Sequence, residues 1–200
     1  MKTKGKVFAT ILLGLALLVA FPTAVLAGGP PVPFSATGSI ASIDEGNVIP
    51  AGDSGRWVVK DRAISGAFGG PDLWGPYSFS YGSNVPIVTQ SGSFHGTLSA
   101  GDYEANVLGK SELVGYGLAF LNPLDPASLV PFVVVSTEGK MTFTKGTQGV
   151  GTFSALIWAQ IDSQGHIIDV LPAGLPCVFA DGSLGSTGPS YVAVSGQWQP

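Results

Sequence analysis

The sequence predicts an all-β domain, most simply an antiparallel β-barrel of roughly 8–10 strands, closed or nearly closed, with a β-sandwich as the alternative. Three observations carry this. Apolar and polar residues alternate with period two along most of the chain after residue 33, as on pleated strands with one buried face. Turn signals rich in Gly, Pro, Asn and Asp punctuate the alternation. Glycines recur inside the alternating segments, at Gly38, Gly92, Gly96, Gly109, Gly115, Gly117, Gly139 and Gly151. An internal Gly weakens a strand unless the backbone bends or is closely approached there, as barrel walls require.

In chain order, 34–43 (FSATGSIASI) is a strand closed by the turn DEGN. A strand over 55–65 leads into a Gly/Pro loop at 66–76 (GAFGGPDLWGP), and 77–81 is a short strand. Residues 91–99 and 103–110 form a hairpin. Residues 112–120 suit helix or strand by pattern, but two glycines count against a helix. After a Pro-rich loop at 121–131 come the long strands 132–144 and 150–161, then 166–171, 177–180 and 191–198. Ile43 to Gly52 (IDEGNVIPAG) and Ile161 to Gly174 (IDSQGHIIDVLPAG) echo one another. Two matches are too few for a repeat architecture, so the echo is read as shared turn chemistry.

Residues 1–27 are expected to be a secretory signal peptide. Lys2, Lys4 and Lys6 precede an apolar run from Val7 to Phe21, and Val25 and Ala27 suit a small-residue cleavage site. The run is short for a membrane span, which takes about 20 residues. Residues 28–33 form a Pro/Gly-rich linker and 34–200 a single domain. The expected location is secreted or extracytoplasmic, in the cell envelope. Removing three lysines takes the net charge from −4 to −7. An acidic chain with six remaining cations argues against nucleic acid and anionic membranes as partners, both of which need clustered positive charge. A small outer-membrane barrel is a weaker alternative: the strands are long enough, but the Pro-rich loops and mixed polar faces leave no clear lipid-facing band. The single cysteine, Cys177, excludes an internal disulfide and sits in an apolar stretch that suits an inert, buried thiol.

The hairpin at 91–110 holds one of the two histidines. Matching apolar to apolar residues gives a register with Leu98 opposite Tyr103, Phe94 opposite Val107, Gly96 opposite Ala105 and His95 opposite Asn106. Glu104 is then diagonal to His95, and His95, Glu104 and Asn106 share a polar face. If that face lined a lumen, Glu104 would orient His95 as a base. If it faced water, these would be ordinary surface residues. His166 follows the turn DSQG, with Asp162 and Asp169 nearby. No metal-ligand spacing of the H-x-H, H-x-x-x-H or C-x-x-C kind is present, so turn chemistry is expected there and no metal or cofactor. No G-x-S-x-G elbow and no phosphate-binding glycine loop is present.

Arg56, Lys60 and Arg62 carry half of the remaining cations on one strand and, by strict alternation, share one face. We expect that face to point outward and protect a sheet edge. Turned inward, it would be an anion site for a carboxylate or phosphate. Trp74, in its Gly/Pro loop, could cap an apolar ligand at a barrel mouth. Gly55 to Trp57 (GRW), in an early strand, resembles the G-x-W signature of lipocalins, and Gly196 to Trp198 (GQW) matches it equally. The resemblance covers three residues and implies a barrel rather than a sandwich.

The function expected is a non-enzymatic binding module for a small, largely apolar or amphipathic ligand, with Trp57, Arg62, Trp74, His95, Glu104 and Asn106 as candidate contacts. The alternatives are a barrel-type isomerase or hydrolase using His95 and Glu104, and a structural subunit of a surface assembly.

Overall fold

The computed structural model describes residues 29–50, 55–86 and 89–199; the expected signal peptide lies outside these. The fold is all-β and antiparallel. Its strands are β1 (Val32–Ile43), β2 (Asn47–Pro50), β3 (Arg56–Gly69), β4 (Trp74–Pro86), β5 (Ser91–Ala100), β6 (Tyr103–Phe120), β7 (Leu129–Lys145), β8 (Gln148–Ile161), β9 (Ile167–Val170), β10 (Pro176–Phe179), β11 (Leu184–Ser186) and β12 (Tyr191–Gln199). Among the described residues no helix is long and apolar enough to cross a membrane.

Eight strands close into a ring in the order β6-β5-β4-β3-β1-β12-β8-β7, with β7 pairing back to β6. The ring is uneven in cross-section, between a barrel and a sandwich. β2 adds to β3, β9 to β8, and the short β10–β11 hairpin to β6. Closure satisfies the backbone groups of the ring strands without leaving long exposed edges.

Alternation explains which face is inside. Phe34, Ala36 and Ile40 of β1, Phe94 and Leu98 of β5, Met141 and Phe143 of β7, and Phe153, Ala155 and Ile157 of β8 point into one core. The middle is filled by aromatic rings: Phe153 lies 4.9 Å from Phe79 and 6.0 Å from Phe94, centroid to centroid. One end is plugged. Trp198 stacks on Phe34 at 4.3 Å and on Tyr103 at 5.2 Å, and meets Phe143 at 4.4 Å.

Two cross-strand pairs of glycines show why side chains are missing there. Gly109 pairs with Gly139 across β6 and β7, and Gly151 with Gly196 across β8 and β12. A Cβ on Gly109 would meet the Phe94 ring at 2.7 Å, and one on Gly196 would meet the Phe34 ring at 2.8 Å. Each bare pair thus lies beneath an aromatic ring that fills the space a side chain would need.

A second, smaller core sits on the outer face of β6 to β8. Phe132 and Val134 point away from the lumen and are covered by Leu171, Cys177 and Phe179 of the C-terminal segment. Cys177 is buried, and burial pushes its thiol pKa up. Ser190 fastens this layer by accepting the backbone N–H of Trp158 at 2.9 Å. Thr187 donates to the Pro172 carbonyl at 2.6 Å and accepts from the Leu175 N–H at 2.9 Å.

The expected loop at 66–76 is mostly strand. β3 continues to Gly69 and β4 begins at Trp74, pairing as Gly69 with Trp74 and Phe68 with Gly75. Its Gly and Pro residues suit close packing at the barrel end as well as a turn. Residues 103–120 form one strand rather than two, with a bulge between Leu113 and Gly115.

Burial has a consequence at high pH. Tyr77 is 3 % exposed and donates to the Ser39 carbonyl at 3.1 Å. Burial holds the phenols of Tyr77 and Tyr81 above the ordinary value of 10.0. A folded-state pKa raised in this way leaves stability intact below about pH 10 and removes it as the pH climbs further. We expect part of the phenolate absorbance at 295 nm to appear only with unfolding. A variant with both Tyr77→Phe and Tyr81→Phe should lose that late phase.

Candidate functional site

The end opposite the aromatic plug is open. There the lumen holds a cavity of about 350 Å³, walled by residues that include Trp57, Val59, Val85, Val133, Val135, Ile157 and Ile167. The volume falls at the lower end of small-molecule sites, roughly 300–1,000 Å³. Polar groups reach it from β3, β4, β6 and β7: Arg62, Tyr81, Ser83, Ser111 and Thr137, with Gln90 and Glu112 also in its lining. Ser111 and Thr137 are both 8 % exposed, and the Thr137 hydroxyl donates to the Ala155 carbonyl at 3.4 Å.

Arg62 is where the structure departs most from strict alternation. It is 6 % exposed and lines the lumen, while Arg56 and Lys60 are exposed. The cause is a bulge. Val59 pairs with Ser83 but Arg62 pairs with Tyr81, so β3 carries one extra residue, and Asp61 takes a left-handed φ of 55°. The extra residue reverses the facing of everything after it. The three cations therefore do not share a face, and the expectation that Arg62 points outward is corrected.

The guanidinium is held firmly. Its Nε and Nη2 donate to the Glu45 carbonyl at 3.2 and 2.8 Å. Gly46, at φ 62°, presses on the Arg62 side chain: a Cβ there would come within 2.9 Å of Arg62 Cβ. The Tyr81 phenol lies against the guanidinium, which partly offsets the rise that burial gives its pKa. Asp44 is also near, but its carboxylate accepts the N–H groups of Gly46 at 3.1 Å and Ala63 at 2.8 Å. Among the described residues no carboxylate oxygen lies within 4.0 Å of Arg62.

At the rim, the two echoing turns meet. Asp162 repeats the role of Asp44, accepting the N–H of Gln164 and of His166, each at 2.8 Å. Those backbone donors, His166 first, hold the Asp162 carboxyl below the usual range. Its other oxygen is 3.5 Å from His166 Nδ1. The His166 ring meets Trp57 edge-on at 5.7 Å. Ligand atoms of Glu45, Asp162 and His166 lie within 4.8 Å of one another. Such a set could bind a divalent cation, although Asp162 is already engaged in closing its own turn. Glu45 is far from the other two in sequence, so spacing could not reveal the trio.

Of the residues expected at a site, Trp57 and Arg62 share the cavity. Trp74 does not. It is 85 % exposed and sits beside the Gly101 turn and Tyr103, at the plugged end. His95, Glu104 and Asn106 are not brought together either. The observed register pairs Ala100 with Tyr103, Leu98 with Ala105, Phe94 with Gly109 and His95 with Leu108. The turn is Gly101-Asp102 with Gly101 at φ 57°, as a two-residue loop opening on Gly allows. The expected register is two residues out. Glu104 stands opposite Ser99, four residues and about 13 Å along the strand from His95. His95 is exposed, on the opposite side of β5 from the buried Phe94, and Asn106 is exposed as well. A His95–Glu104 pair is therefore not assembled.

Set against known protein families, curated proteins and solved structures, the chain matches none of them.

Proposed function

We propose that this protein is a secreted, non-enzymatic binding module that holds a small, largely apolar ligand in the open mouth of the barrel. The observation that carries the reading is the half-open cavity: apolar walls and convergent polar groups, at one end of a ring whose other end is sealed. Such a form suits ligand retention rather than passage through the barrel. Secretion is supported by the basic, apolar and small-residue pattern of residues 1–27.

An enzyme built on His95 and Glu104 loses its geometric basis with the register described above. Assembly through strand addition finds little edge to use. The eight ring strands are paired on both sides, and the edges left among the described residues belong to β2 and β9, four residues each, and β11, three residues long.

Trp57 tests the reading. Its replacement by Ala should weaken binding of decan-1-ol about tenfold or more, measured by titration calorimetry, because an aromatic wall of the cavity is removed. Trp74→Ala, at the far end, should leave that affinity unchanged. Equal effects of the two substitutions would place the ligand elsewhere.

A further inference from the structure

We infer that the cavity takes a monoanionic carboxylate, with the headgroup on Arg62 and the apolar body toward the mouth. This rests on the cavity reading above and adds the chemical class of the ligand. Arg62 is a charged side chain 6 % exposed, aimed into an apolar lumen by a bulge that interrupts its strand. Burying a cation is costly unless an anion compensates it. The chain provides none within 4.0 Å among the described residues. Its two hydrogen bonds go to a neutral carbonyl, that of Glu45. Guanidinium has five N–H donors, so donors remain beyond those two and the Tyr81 phenol.

The charge balance selects the headgroup. One buried cation is neutralised by one negative charge; a phosphate monoester would bring a second charge into the same low-dielectric space. Glu112 in the cavity lining, and Glu45 and Asp162 at the rim, would oppose a doubly charged head further. A planar carboxylate also matches the guanidinium fork. Size limits the body. At about 30 Å³ per water in the liquid, a 350 Å³ cavity holds about a dozen waters, hence a ligand of about a dozen non-hydrogen atoms. Decanoate is of that size.

The test is titration calorimetry of the purified protein at pH 7.5 with decanoate, decan-1-ol and decyl phosphate. Decanoate should bind at least tenfold more tightly than either of the others. Arg62→Met should bring decanoate down to the affinity of decan-1-ol. Equal affinity of wild-type protein for decanoate and decan-1-ol would overturn the carboxylate assignment and leave the apolar cavity standing. Tightest binding of decyl phosphate would overturn the headgroup choice alone. Binding of none of the three would overturn the cavity reading together with it. Should Arg62→Met fail to fold, the wild-type comparison of decanoate with decan-1-ol decides the matter by itself. Arg62→Lys, which keeps the charge without the fork, should then show a reduced preference for decanoate.

Discussion

Replacing Phe153 with alanine should cost the fold about 3–5 kcal/mol of unfolding free energy. Phe153 is 2 % exposed and stands mid-barrel, packed against the rings of Phe79 and Phe94. The cost of such a deletion depends on how far the surroundings can collapse into the space left. Here they collapse poorly. β8 is hydrogen-bonded to β12 on one side and β7 on the other, and both belong to a closed ring. Moving one wall inward would strain the pairing around the circumference, so the upper part of the range is expected. Urea unfolding followed by near-UV circular dichroism measures it. Leu184→Ala, at a side chain 83 % exposed, is the control and should change stability by no more than about 0.5 kcal/mol. A loss below about 1.5 kcal/mol at Phe153 would show that the ring relaxes more freely than its closure implies.

Gly109→Val should be as damaging, by the opposite route. A Cβ at Gly109 would overlap the Glu138 carbonyl, lie 2.6 Å from the Gly139 backbone and 2.7 Å from the Phe94 ring. Two of these neighbours are backbone and cannot turn aside as a side chain can. Overpacking in a tight core costs about 1–3 kcal/mol and sometimes more, and the valine should reach or pass the upper figure. Gly109→Ala should lie between valine and wild type. Combining Gly109→Ala with Phe94→Leu should recover only the part owed to the ring, because the clashes with the backbone of Glu138 and Gly139 persist. Full recovery in the double variant would mean that the glycine serves the ring alone. Thermal unfolding of the three variants separates these outcomes.

The alternation of apolar and polar residues is enough to place most strands, but it leaves open which side of each faces the lumen, at the His95 face as at the Arg62 face. It is also enough for the parity of the 91–110 hairpin: Phe94, Gly96 and Leu98 do face Gly109, Val107 and Ala105. Parity cannot distinguish registers two residues apart, since both match apolar to apolar. The choice is settled by where glycine can take a positive φ, at Gly101 as the first turn residue. The inward Arg62 is not legible in the sequence alone, since Val58 and Ile64, six positions apart, suit a regular strand; the burial of Val59 in the structure is what exposes the break. Val59 and Ile64 both face inward and are five positions apart, an odd interval that a regular strand cannot give. An interrupted parity of this kind marks a bulge, and a charged residue just after it is a candidate for the interior. The wall of the cavity is not legible either. It is assembled from five ring strands, β3, β4, β6, β7 and β8, with Gln90 just before β5, Gly165 in the turn before β9 and Ile167 of β9, and no stretch of sequence carries its concavity. The rim trio is hidden for the same reason.

The pairing of the first and last ring strands also decides how the protein can be held. Val32 lies opposite Trp198, so the chain enters β1 and leaves β12 at the same place, beside the aromatic plug. Anything joined before β1 or after β12 therefore emerges at the sealed end. A tether at either point would present the mouth outward, toward the medium and whatever ligand it holds. An immobilised sample could be anchored through either end with the cavity unobstructed.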